Sequence, residues 1–166
     1  MANRVGKKSL AAVVGAGAAA VLMSVVPQFE GVVLRGYLDP VGIPTKCMGD
    51  THDVVVGKRY SEAECRESLE TQLITHAEPV LKCTPGLKGR TYQLGAAVSF
   101  AYNIGAGAYC GSTTARRFNA GDFRGACKAM NESDSGKPQW VTSRGHVLPG
   151  LVKRRADERA ICERDL

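Results

Sequence analysis

Phe29-Glu30-Gly31-Val32-Val33-Leu34-Arg35-Gly36-Tyr37-Leu38-Asp39-Pro40-Val41-Gly42-Ile43-Pro44-Thr45-Lys46-Cys47-Met48-Gly49-Asp50-Thr51 is the stretch on which the reading of this chain turns. Its Gly, Pro and β-branched residues predict a helix end followed by short strands and loops. Glu30 closes an apolar stretch, where a carboxyl is partly desolvated and able to hold a proton, as a general acid must. Asp39 falls in a Gly/Pro-rich loop, where a carboxylate stays ionised. Thr45 offers a hydroxyl that can hold a water or the carboxylate. Two carboxyls in contrasting surroundings are what acid–base cleavage of a glycosidic bond requires. A Glu and an Asp this close are also a common pair of solvated surface charges, so the spacing alone decides little.

Upstream, residues 10–26 carry no charge, with Arg4, Lys7 and Lys8 before them and Pro27 after. A helix of this span is roughly 25 Å long, just short of a bilayer core. The basic flank predicts that its N-terminal side stays in the cytoplasm. Four readings stand open: a cleaved signal peptide, with sites at Ala16-Gly17-Ala18 or Ala18-Ala19-Ala20; a permanent anchor; a marginal anchor that later leaves the bilayer; and a buried core helix. Ala and Gly dominate the segment and supply little transfer energy, which favours the marginal anchor.

Downstream, Ser61-Glu62-Ala63-Glu64 has the form of a capping box. Cys65, Leu69, Leu73, Ile74 and Ala77 follow at helical spacing, predicting a helix to about Glu78, where Pro79 threatens it. Arg90 to Asn103 reads as a mostly buried helix stopped by Gly105-Ala106-Gly107. Ser112 caps a short helix to Phe118, and Asp122 another through Met130. Asn131 to Gly145 is polar and broken by Gly136 and Pro138, a loop around Trp140. A last helix is expected from about Pro149 to Glu163. The class is α+β, predominantly helical with a small β patch.

The pattern Glu30-x8-Asp39-x5-Thr45 is similar to the catalytic signature of the phage lysozyme family, glycoside hydrolase family 24. Ser99-Phe100-Ala101-Tyr102-Asn103-Ile104-Gly105-Ala106-Gly107 resembles that family's central buried helix and glycine turn. Ser112 through Asp122 resembles the helix that follows, and Gly150-Leu151-Val152-Lys153-Arg154-Arg155-Ala156-Asp157-Glu158 its C-terminal segment. Four segments in order, from Phe29 to Cys162, are far more specific than the triad spacing. The resemblance implies a two-lobed lysozyme-like fold cutting the β-1,4 bond between N-acetylmuramic acid and N-acetylglucosamine in peptidoglycan. It implies Glu30 as general acid at the lobe interface, Asp39 as second carboxylate and Thr45 beside the attacking water. Inversion is the expected outcome, with a water fitting between sugar and base. Arg154 or Arg155 is a candidate charge partner of Glu30, against the plainer reading of solvated helix charges. Ser112 and Asn119 are candidates to line the glycan cleft, against simple helix capping. One departure stands out: Asp50 occupies the place where relatives commonly carry His, with His52 two positions on.

The same resemblance extends to a subgroup with Ala/Gly-rich signal-anchor-release segments. It divides the chain into a signal-anchor segment at 1–28 and a catalytic domain at 29–166. Glu30 would then lie about 6 Å of helix beyond Val26, against the inner membrane, until loss of the membrane potential releases the segment to the periplasm. The segment contains no cysteine, so a thiol switch inside it is not expected.

Composition agrees. Hydrophobic residues at 44% and charged residues at 23% suit one packed domain, and a net charge of +6 suits an anionic partner such as the cell wall. The basic residues are scattered apart from Lys7-Lys8 and Lys153-Arg154-Arg155, without a nucleic-acid-binding motif around them. Six cysteines show no zinc spacing, and in an oxidising compartment they allow 15 full pairings. Cys83 with Cys110, flanking one predicted helix, is the preferred single pair. No metal or organic cofactor is expected, and a monomer is. The rivals are a lytic transglycosylase and a non-catalytic cationic wall-binding or membrane-active protein.

Overall fold

The computed structural model describes residues 7–166; Arg4, part of the basic flank, lies outside them. Two helices, α1 (Leu10–Val14) and α2 (Ala16–Glu30), come first, separated by Gly15 at φ 87°. A positive φ there is open to glycine and stops the helix from running straight through. A hairpin of β1 (Val33–Leu38) and β2 (Pro44–Cys47) follows, then the long α3 (Glu62–Cys83) and a single 3₁₀ turn at Pro85–Leu87. The chain continues through α4 (Thr91–Ile104), α5 (Ala106–Cys110), α6 (Thr113–Asn119) and α7 (Phe123–Lys128). A two-residue ribbon, β3 (Thr142–Ser143) with β4 (His146–Val147), leads into α8 (Pro149–Cys162). The class is α+β as expected, mostly helical with small antiparallel patches.

The helical body forms around α4, buried continuously from Gln93 to Ala101. Helices α2, α3 and α8 pack on it. From the N-terminal segment, Leu10, Val14, Ala18, Leu22 and Val26 are all buried, one at every fourth position, making one stripe that faces the core. Burying Leu22 and Val26 fully contributes about 1.5–3 kcal/mol each. The small residues of this segment let helices approach closely: a Cβ placed on Gly17 would lie 2.8 Å from the Thr91 hydroxyl. The lysines ahead of the segment pair with α3, Lys7 with Glu67 at 2.7 Å and Lys8 with Glu78 at 3.5 Å. Among the described residues, no helix is long and apolar enough to cross a membrane.

The capping box at the start of α3 is present, Ser61 Oγ accepting from Glu64 N at 3.1 Å while Ser61 N donates to Glu64 Oε2 at 2.7 Å. The helix does not end at Glu78. It runs through Pro79 to Cys83; the hydrogen bond that proline removes is offset by complete burial of Val80 and by the covalent tie at Cys83. Helix α7 ends at Lys128, short of Met130. The polar stretch expected as loop, Asn131 to Gly145, contains β3, which pairs with β4 just beyond it, and the Trp140 ring packs edge-on against Phe100 at 5.7 Å.

Three disulfides join the described elements: Cys47–Cys65 ties β2 to α3, Cys83–Cys110 ties α3 to α5, and Cys127–Cys162 ties α7 to α8.

Candidate active site

Glu30 is the last residue of α2, and Gly31 closes the helix with its N–H on Pro27 O at 3.0 Å. Because α2 is docked along α4 by its apolar stripe, its end is fixed relative to α8. Arg154 Nη1 meets Glu30 Oε1 at 2.5 Å, although 124 residues separate the two. The Glu30 side chain is 24% exposed and that of Arg154 is 5%. The Phe29 ring lies 4.8 Å from the guanidinium carbon. Of the two candidate arginines, it is therefore Arg154 that reaches Glu30; Arg155 turns inward to Asn103 Oδ1 at 2.9 Å and to the face of Phe100. The expectation of apolar surroundings for Glu30 needs this addition: a buried cation stands beside the carboxyl.

A cavity of about 780 Å³ opens next to this pair, lined by Glu30, Asn103, Pro149, Leu151 and Arg154 among others. Tyr102, one residue before Asn103, donates towards Met48 O at 3.2 Å and Gln72 Oε1 at 3.1 Å, crossing from α4 to the hairpin side and α3. Burial raises its phenol above the usual range, and the negative charge of Glu30 adds to that.

Asp39 and Thr45 sit on the hairpin, organised around Ile43. Asp39 Oδ1 accepts from Val41 N at 2.9 Å and Ile43 N at 2.8 Å, while Asp39 N donates to Ile43 O at 2.9 Å. Aspartate favours such turns because its short side chain mimics backbone. Thr45 is cross-strand from Tyr37, only 5% exposed, and its hydroxyl donates to Ile43 O at 3.0 Å. With its proton committed there, Thr45 Oγ1 is left as an acceptor. The hairpin thus holds these two residues together, and Glu30 enters it from the helix that precedes β1.

Ser112 and Asn119 are placed as helix-end residues. Ser112 is buried, accepting from Ala115 N at 3.2 Å and donating to Tyr109 O at 2.6 Å. Asn119 Nδ2 donates to Cys83 O at 2.8 Å. Neither lines the cavity beside Glu30.

Asp50, the departure noted in the sequence, is buried where β2 faces α3. It accepts from Ser68 Oγ at 2.5 Å and His52 N at 2.9 Å, with Lys46 Nζ 3.6 Å away. Burial raises the carboxyl's proton affinity, but the Ser68 and His52 hydrogen bonds and Lys46 outweigh it, leaving Asp50 below the usual carboxylate range. The hairpin is thereby pinned to α3 by a hydrogen-bonded acid as well as by Cys47–Cys65.

Two participants escaped the sequence reading. Tyr102 was legible only as an apolar position on a buried helix. Glu158 was visible within a resembling segment but without a role; its spacing from Arg154, one helical turn on, is the signal that pairs them.

The sequence pattern of the phage lysozyme family matches residues 27–158. The chain belongs to the phage lysozyme family. It is a glycoside hydrolase, a lysozyme, with peptidoglycan as its substrate. This lysozyme is 39% identical over 136 residues to a SAR-endolysin of Bacteriophage PS119, covering 80% of this chain and 75% of that one. It is 35% identical over 165 residues to a SAR-endolysin of Enterobacteria phage P21, covering 94% of each chain. Among solved structures it resembles an endolysin from Escherichia coli O157:H7 phage FAHEc1, at TM-score 0.74 and 28% identity, covering 88% of this chain and 92% of that one.

Proposed function

We propose that this lysozyme hydrolyses the β-1,4 bond between N-acetylmuramic acid and N-acetylglucosamine with Glu30 as general acid. Arg154 engages Oε1, so Oε2 is the oxygen that carries the proton to the glycosidic oxygen as the bond to the anomeric carbon breaks. Water attacks that carbon from the opposite face; Asp39 takes its proton and Thr45 Oγ1 accepts a hydrogen bond from it. This is the inverting course, in which a water fits between sugar and second carboxylate. The observation that carries the reading is Glu30 held by a buried arginine at the wall of a 780 Å³ cavity. A monomer suffices for this course, since Glu30, Asp39, Thr45 and Arg154 all belong to one chain. The reading asks nothing of Ser112 and Asn119 beyond the helix ends they tie.

Glu30→Gln is expected to lose lysis of permeabilised Gram-negative cells by at least about 100-fold. Released glycan should carry reducing ends; 1,6-anhydro ends would make the enzyme a lytic transglycosylase. An unaffected Glu30→Gln would point to a membrane-active protein, since its cationic character survives the change.

The division into an anchor at 1–28 and a catalytic domain at 29–166 belongs to the same proposal. Residues 10–26 are first held in the host inner membrane and then released to the periplasm, where they dock as α1 and α2. Similarity to proteins named SAR-endolysin supports it. So does the segment's composition: six buried positions hold it on the body, while its many Ala and Gly residues hold it only weakly in lipid. While residues 10–26 are in lipid, α2 cannot place Glu30 beside Arg154. Carbonate extraction after depolarisation should recover full-length protein in the soluble fraction; retention in membranes would end the release model.

A further inference from the structure

Glu158 lies one turn after Arg154 on α8 and is wholly buried, at 0% exposure. Taking a carboxylate out of water is costly, and a buried ion pair is seldom a net gain over apolar packing. Its presence calls for a geometric reason, and the contacts supply one. Glu158 Oε1 accepts from Ser99 Oγ at 2.8 Å and from Arg154 Nε at 3.0 Å, and Arg155 Nε lies 2.8 Å from Oε2. Arg154 Nη2 donates to Ser99 O at 3.2 Å. The guanidinium is planar with its donors in a fixed fork. Once Nε and Nη2 are held by the core, the direction of Nη1 follows, and Nη1 is the nitrogen that meets Glu30 at 2.5 Å. The fork has one edge locked in the body and one tip in the active site.

We infer that Glu158, together with Ser99, is a positioning residue for the general acid, acting on Glu30 only through Arg154. It rests on Glu30 being that acid. Without Glu158, Arg154 keeps its charge but loses the partner on Nε that fixes the plane of the fork, and the Glu30 carboxyl is no longer held in one orientation. Glu158 does not line the cavity beside Glu30, so substrate binding should be preserved. The signature is a loss in kcat with KM preserved.

A mutant cycle on purified sacculi, reading reducing ends, tests this. Glu158→Leu, which removes the acceptor on Nε, and Arg154→Lys should each lower kcat by about 10- to 100-fold, the size of coupling between contacting charged groups, with KM within about twofold. The double variant should be no worse than Arg154→Lys within about threefold, because of the two arginines that Glu158 holds it is Arg154 that contacts the acid, while Arg155 turns to Asn103. Multiplying losses would overturn the inference, as would a Glu158→Leu enzyme with unchanged kcat. If Glu158→Leu does not fold, Ser99→Ala takes its place in the cycle, with a kcat loss of about three- to tenfold and the same non-additivity; unchanged kcat there is again fatal. Glu30→Gln is run in parallel. An active Glu30→Gln removes the acid assignment and this inference together, whereas an inactive one beside a fully active Glu158→Leu removes the inference alone.

Discussion

The helical body and the β hairpin hold their carboxyls in different ways. Glu30 is fixed by long-range structure: an apolar stripe docks α2 on α4, and an arginine from the last helix closes on the carboxyl. Asp39 is fixed locally, by two backbone N–H groups within four residues of it. A group held from across the chain is sensitive to anything that shifts the body, while one held by its own turn is sensitive mainly to its own chemistry. The body and the hairpin should therefore fail differently when perturbed.

The largest effect should come from breaking the body. Leu22→Ala removes a completely buried side chain from the middle of the stripe and is expected to cost about 2–5 kcal/mol. Thermal unfolding should show it, and activity should fall with it, since the same packing aims Glu30. Asp39→Asn is the matching change on the hairpin. The amide oxygen still accepts from Val41 and Ile43, so the melting temperature should stay nearly constant. Hydrolysis should drop about 100-fold, equivalent to about 2.7 kcal/mol in the barrier. A large stability loss in Asp39→Asn would blur the distinction between the two regions.

Smaller effects are expected at the junction. Ser61→Ala removes half of the capping box at the start of α3 and should cost about 1 kcal/mol in denaturant unfolding. Subtlest is a pH effect at Asp50. Its carboxyl is depressed in the fold, so the stability it contributes is complete at neutral pH. It is lost as the pH falls below about 4. Ser68→Ala takes away the strongest lowering contact and should move the acid-unfolding midpoint upward, with little change at pH 7. An unchanged midpoint would mean that Asp50 does not pin the hairpin to α3.

Where local rules applied, the chain was readable. The capping box at Ser61, the glycine stop after α4, the Ser112 cap and the strand-forming stretch after Glu30 all appear as expected, since each depends on residues a few positions apart. Pro79 misled the reading of α3 because burial of Val80 and the Cys83–Cys110 bridge, both tertiary, outweigh one missing hydrogen bond. Trp140 in the polar loop likewise finds its place through tertiary structure: Phe100, far away in sequence, gives its ring a surface to pack on.

The sequence by itself determined the α+β class, the membership of a lysozyme family and the three positions proposed to do the chemistry, because spacing and residue type are written in the chain. Only the tertiary structure decided that Arg154 rather than its neighbour faces Glu30, that Glu158 grips Arg154 from behind, and that residues 10–26 complete the core. Adjacent helix residues point in directions about 100° apart, and which of them meets the site depends on how α8 lies against α4 and α2. That angle is set by the whole packed body, and no local stretch of sequence contains it.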